Sequence, residues 1–141
     1  MWLLTTVEDP PTLVWKDEDE LDRDENGGLG VEYAIVSHRW GKADEEVTFE
    51  EMRAFDPNLP FPKLRSPGYR KILKCCELAR NRKPKLYYLW IDTCCIDKRS
   101  SAELQEAINS MFHWFVRSSS HDLQSFLPKT GTSELLSALR T

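Results

Sequence analysis

The residues best suited to chemistry fall in two short clusters, each closing an apolar run. The first, Ser37-His38-Arg39-Trp40-Gly41, follows Val31-Glu32-Tyr33-Ala34-Ile35-Val36. The second, Asp92-Thr93-Cys94-Cys95, follows Leu86-Tyr87-Tyr88-Leu89-Trp90-Ile91 and is joined by Lys98-Arg99-Ser100-Ser101 to Glu103. Hydroxyl, imidazole and carboxylate groups gathered at strand ends suit a small polar ligand, because open α/β sheets bind ligands beyond the carboxyl ends of their strands. Thiols at the same place raise metal or redox chemistry instead. The four cysteines, however, come as vicinal pairs, Cys75-Cys76 and Cys94-Cys95. Zinc sites favour two intervening residues so that both thiolates turn toward one ion, and adjacent cysteines do this badly. The spacing predicts buried thiols packing as small apolar groups in a reducing compartment, with no metal site.

Glu103 has two readings. With Ser100 it forms a capping box, in which the serine oxygen accepts the Glu103 amide and the carboxylate reaches back. At roughly 100° per residue it also borders the apolar stripe of the following helix, Leu104, Ala107, Ile108, Met111, Phe112 and Phe115. Glu106 points to water, so of these two acids only Glu103 can face a cleft.

The elements that must position these groups are readable from periodicity. Met1-Trp2-Leu3-Leu4 and Thr12-Leu13-Val14-Trp15, separated by Pro10-Pro11, suit a hairpin. Residues 16–26 carry seven acids against two bases and read as a solvated loop. Val31 to Ser37 and Leu86 to Asp92 have the near-continuous apolar centres of strands covered on both faces. Glu45 to Met52 suits a short strand or a helix start, and prolines 57, 60, 62 and 67 mark an irregular loop. Tyr69 to Arg80 carries helical spacing and is stopped before Pro84. Strand, helix, strand, helix in that order predicts a parallel α/β sheet flanked by helices.

Composition narrows the function classes. The chain has 141 residues and a formal charge of −4, which gives no general electrostatic reason to bind nucleic acid or an anionic membrane surface. No apolar run approaches the roughly 18 residues of a membrane span, and the amino terminus lacks the basic region of a secretion signal, so a cytoplasmic chain is expected.

Together these segments closely resemble the fungal heterokaryon incompatibility (HET) domain. The resemblance is carried by Tyr33 to Gly41, Glu45-Glu46-Val47-Thr48-Phe49, Tyr69-Arg70-Lys71-Ile72 with Cys76 and Ala79, Trp90 to Lys98, and Ser100 through Met111 and Trp114. It implies a HET domain over 1–115, followed by a divergent, poorly ordered tail over 116–141 where the family pattern is lost. It implies a role in fungal non-self recognition and programmed cell death, a form of innate immunity. It also implies a distant relation to Toll/interleukin-1 receptor (TIR) domains, with a flavodoxin-like parallel sheet, here incomplete at its carboxyl end if the tail departs. Some TIR relatives cleave NAD with a glutamate on the helix after a central strand. By that resemblance Glu103 is the catalytic residue, and Ser37, His38, Trp40, Gly41 and Asp92 bind substrate; NAD is the substrate and no separate cofactor is implied. Two alternatives stand beside this reading. One is a non-enzymatic death-signalling module that associates with itself or with other signalling proteins, the basic Tyr69–Lys85 segment meeting the acidic loop. The other is a truncated, inactive fragment.

Overall fold

The computed structural model describes residues 1–22, 31–36, 41–83 and 85–118. The elements run β1 (Trp2–Thr5), β2 (Leu13–Trp15), α1 (Glu18–Asp22), β3 (Tyr33–Val36), α2 (Phe49–Arg53), α3 (Pro67–Asn81), β4 (Tyr88–Ile91) and α4 (Ser101–Ser118). The hairpin forms as the sequence predicts, with Trp2 opposite Trp15 and Leu3 opposite Val14. The first turns of the acidic segment are helical, and residues 23–30 lie outside the described residues.

The four strands make one sheet in the order β2-β1-β4-β3. β3 and β4 are parallel, with Ile35 opposite Trp90 and Val36 opposite Ile91. β1 lies antiparallel to both β2 and β4. The expected parallel sheet is therefore corrected to a mixed one. Apolar runs reveal that a strand is covered on both faces, but direction is set by the connections. A tight return joins β1 to β2, whereas β3 reaches β4 through a long crossover containing α3, the kind of link that parallel neighbours need.

Burial explains why β1 and β4 take the centre. Leu3, Leu4, Leu89, Trp90 and Ile91 are all buried, so consecutive residues pointing to opposite faces are both covered. Each such side chain contributes about 1.5–3 kcal/mol relative to exposure. α3 begins at Ser66, whose hydroxyl accepts the Tyr69 amide at 3.1 Å, with Pro67 in the first turn. It buries Tyr69, Ile72, Cys75, Cys76 and Ala79 on one side. Its last turn is tied across the molecule, since Arg80 Nη1 donates to the Thr6 carbonyl at 2.6 Å. The segment from Glu45 to Met52 resolves as a helix start: Thr48 and Glu51 form a capping box, amide to side chain in both directions, at 2.9 and 3.3 Å.

Among the described side chains, α4 departs from its predicted stripe at one residue. Ala107 is buried and Leu104 packs against the core, but Ile108 is 56% exposed. β3 is the last strand of the sheet on that side, so among the described residues α4 has no further strand to cover. No helix among the described residues is long and apolar enough to cross a membrane.

Candidate functional site

β4 stops at Ile91 because the chain turns there. The amides of Cys94 and Cys95 both donate to the Ile91 carbonyl, at 3.3 and 2.8 Å, and this turn carries Asp92 and Thr93 off the sheet edge. A cleft of about 370 Å³ opens at that point, lined by Gly41, Glu46, Phe49, Asp92, Thr93 and Lys98 among others. Its size lies within the roughly 300–1,000 Å³ of ordinary small-ligand sites. Two carboxylate oxygens, Asp92 Oδ1 and Glu46 Oε2, are buried with no hydrogen-bond partner among the described residues. Apolar walls come from Val47, Phe49 and Ile96.

Glu46 fixes one side of this cleft. Its Oε1 accepts the Gly41 amide at 2.7 Å and lies 4.0 Å from Lys71 Nζ on α3, and Lys63 donates to the Glu46 main-chain carbonyl. A buried carboxylate is tolerable only when paired and hydrogen-bonded, and this one has a backbone donor, a cation and the amino-terminal turn of α3 nearby. The packing there is close enough to require glycine. A Cβ on Gly68 would lie 2.5 Å from the Glu45 carbonyl oxygen and 2.7 Å from Glu46 Oε2.

Glu103 sits elsewhere. Its amide donates to Ser100 Oγ at 3.3 Å, the first half of the predicted capping box. Its carboxylate reaches past Ser100 and accepts the Asp97 amide at 3.2 Å. The space beside it is a crevice of about 20 Å³ lined by Trp2, Trp15, Trp90, Cys95 and Ala107, and also by Glu106, which the helical wheel turned to water, so Glu103 is not alone of the two acids in facing it. Trp2 meets Trp15 edge to face at 5.4 Å, and the Arg53 guanidinium lies 4.8 Å from the Trp2 ring, so aromatic packing fills this region. About one water needs roughly 10–15 Å³ of such space, so the crevice holds little more than that. Ile96 lines both the crevice and the cleft.

Of the residues expected at the site, the structure brings Gly41 and Asp92 together in the cleft and places Glu103 in the crevice. Ser37, His38 and Trp40 lie outside the described residues. Thr93 belongs to the strand-end cluster singled out in the sequence, whereas Glu46 and Lys98 were not expected in the lining. Glu46 lies in the segment read as a short strand or a helix start, where nothing marked it for burial. A glycine in the first turn of a helix, Gly68, was the available sign that another segment approaches closely there.

The thiols behave as packing groups. All four cysteines are free and buried. Burial pushes the Cys75 thiol up to about 11 and the Cys76 thiol up to about 12. Cys94 is raised well above its ordinary value by hydrogen bonding with Cys95 and by burial. Burial of this kind is that of thiols packing as small apolar groups. The basic helix α3 is also largely engaged within the chain: Lys71 faces Glu46, Lys74 pairs with Glu77 at 2.9 Å, and Arg80 holds the Thr6 carbonyl.

The family model described as heterokaryon incompatibility protein (HET) matches residues 33–125. Over 83 residues the chain is 47% identical to vegetative incompatibility protein HET-E-1 of Podospora anserina, a match covering 59% of this chain and 6% of that protein. The chain thus spans a small part of that relative's length. No solved structure matches it. With the family match extending over more than half of its residues, including both β3 and β4 and the lining of the cleft, the chain belongs to the heterokaryon incompatibility (HET) family.

Proposed function

We propose that this chain acts in heterokaryon incompatibility, as an effector of cell death in fungal non-self recognition, and that its activity is TIR-like cleavage of the nicotinamide–ribose bond of NAD. The observation that carries the enzymatic part is the 370 Å³ cleft at the carboxyl end of β4, lined by the half-buried Asp92 carboxylate. The parallel β3–β4 pair with its α3 crossover is the part of this sheet that a TIR or flavodoxin-like fold shares; antiparallel β1 is where it departs.

The chemistry asks for a carboxylate near the ribose. As the bond from C1′ to the pyridinium nitrogen breaks, its electron pair neutralises the nicotinamide and positive charge builds on the sugar. Water then supplies the oxygen that bonds to C1′ and releases a proton. Asp92 stands in a space that can admit a ribose, so we assign it the charge-stabilising role. Glu103 holds the Asp97 amide and positions the loop that carries Lys98. The apolar walls limit competing water.

The test is release of nicotinamide from NAD by the purified chain, with Asp92→Asn and Glu103→Gln beside it. Release that falls at least tenfold in Asp92→Asn supports this assignment. Release that falls only in Glu103→Gln returns the catalytic role to Glu103. Absence of release in the folded, unsubstituted chain ends the enzymatic reading.

A further inference from the structure

The charge of this chain is unevenly spread. Residues 63–85 hold nine of its nineteen lysines and arginines and one of its twenty-three acids, so the formal charge of −4 conceals a basic segment inside an otherwise acidic chain. That segment is α3 with its two flanks. Part of it is turned inward: Lys63 pairs with Glu51 at 3.1 Å, Lys71 faces Glu46, and Arg80 donates to the Thr6 carbonyl. Arg65, Arg70, Lys83 and Lys85 are exposed, and the acid of the segment, Glu77, is paired with Lys74 at 2.9 Å. At 1.5 Å per residue the 15 residues of α3 set the bases of its two flanks about 22 Å apart.

The amino-terminal flank adds apolar surface, since Leu59 and Leu64 are 63% and 56% exposed. The loop that carries them is held in shape from below. Phe61 packs edge to face on Phe55 at 5.1 Å and on Tyr69 of α3 at 5.0 Å, and the amides of Leu59 and Leu64 bond back to the Asp56 and Phe61 carbonyls at 3.0 and 3.1 Å. Asp56, the one acid between residues 52 and 76, accepts the Asn58 amide through its carboxylate at 2.8 Å. Bases spread along the length of a helix, beside two firmly presented leucines, suit an extended anionic surface with a hydrocarbon interior. A protein partner fits less well, because the central anchors of protein interfaces are chiefly aromatic and leucine is under-represented among them. We propose that this ridge docks the chain on an anionic lipid surface, with Leu59 and Leu64 entering the acyl boundary and Arg65, Arg70, Lys83 and Lys85 lying among the headgroup phosphates. The lipid feels the nearest charges rather than the net charge, because those beyond about 8 Å are screened at physiological ionic strength. Such docking is peripheral and needs no spanning helix.

The experiment is co-sedimentation of the full chain with vesicles of phosphatidylcholine alone and of phosphatidylcholine mixed with phosphatidylserine, at low and high salt. Each base at an anionic surface strengthens adsorption by about fivefold. Binding to the anionic vesicles is expected to exceed binding to the neutral ones by about tenfold or more and to weaken as ionic strength rises. Arg65→Glu with Arg70→Glu is expected to weaken it by about twentyfold or more, and Leu59→Asn with Leu64→Asn by about tenfold. All four side chains are exposed or point from a surface loop, and a cooperative thermal melt checks that each variant is folded. Arg53→Glu with Arg99→Glu makes the same change in net charge at exposed bases outside the ridge and is expected to cost less than about threefold. The proposal is overturned if the unsubstituted chain binds neither vesicle, if the two charge variants lose equally, or if the leucine variant binds as the parent does. Preference of the unsubstituted chain for polyglutamate over the anionic vesicles also overturns it and assigns the ridge to an acidic protein.

Discussion

Glu46 accepts the Gly41 amide at 2.7 Å while facing Lys71 Nζ at 4.0 Å, and both side chains are only 9% exposed. This places a charged pair where the loop after β3 meets α3. Removing one partner of such a pair leaves the other buried and uncompensated. Lys71→Met is therefore expected to lower the stability to urea by about 3–5 kcal/mol, and Lys71→Met with Glu46→Gln to recover most of that loss. A single variant that unfolds at the same urea concentration as the parent would show that the pair contributes nothing net.

Gly68 tests the same junction sterically. Alanine ordinarily stabilises a helix over glycine by about 1 kcal/mol. Here its methyl group would meet the Glu45 carbonyl oxygen at 2.5 Å and the Glu46 Cα at 2.8 Å, both main-chain atoms that cannot swing aside. Gly68→Ala is expected to destabilise by about 1–3 kcal/mol, as overpacking does. A thermal melt decides the sign, and a rise in the midpoint would contradict the packing described.

Alkaline pH offers a third measurement. The Cys75 and Cys76 thiols are raised from 9.0 to about 11 and about 12 in the folded chain, chiefly by burial. The folded state therefore keeps protons that the unfolded state loses above pH 9, so stability is full below that value and declines as pH rises toward 11 and 12. The slope is on the order of 1.4 kcal/mol per pH unit for each thiol. Urea midpoints are expected to be insensitive to these groups between pH 7 and 8 and to fall between pH 9 and 10.5. A thiol-reactive dye is expected to label none of the four in the native chain at pH 7 and all four in urea.

Glu103 separates capping from chemistry. Its carboxylate accepts the Asp97 amide at 3.2 Å, which glutamine can also do through its carbonyl oxygen. Glu103→Gln is expected to change stability by less than about 0.5 kcal/mol, and Glu103→Ala to cost about 0.5–1.5 kcal/mol by leaving that amide unpaired. Denaturant titration of both variants measures the difference. If glutamine costs as much as alanine, the carboxylate charge matters to the fold beyond its role as an acceptor.

Much of this protein was decided locally. The hairpin, α3 and the strand character of Tyr33–Val36 and Tyr88–Ile91 were legible because each depends on side-chain period and on punctuation such as Pro10-Pro11, Ser66-Pro67 and the bases before Pro84. That Asp92 and Gly41 lie near one another was legible because both follow strands whose carboxyl ends share one edge of a sheet. Three features depended on the whole molecule. β1 runs antiparallel to β4 because the hairpin docks against an interior strand, and apolar runs carry no direction. Glu46 is buried because Gly41 in its own loop and Gly68 and Lys71 on α3, a helix well beyond it in sequence, surround it. Glu103 was correctly placed at the border of an apolar stripe, yet its neighbours are Trp2, Trp15 and Trp90 and its crevice is about 20 Å³. A helical wheel fixes the direction in which a side chain leaves its helix, but only the packed chain determines whether it meets a cleft or a wall.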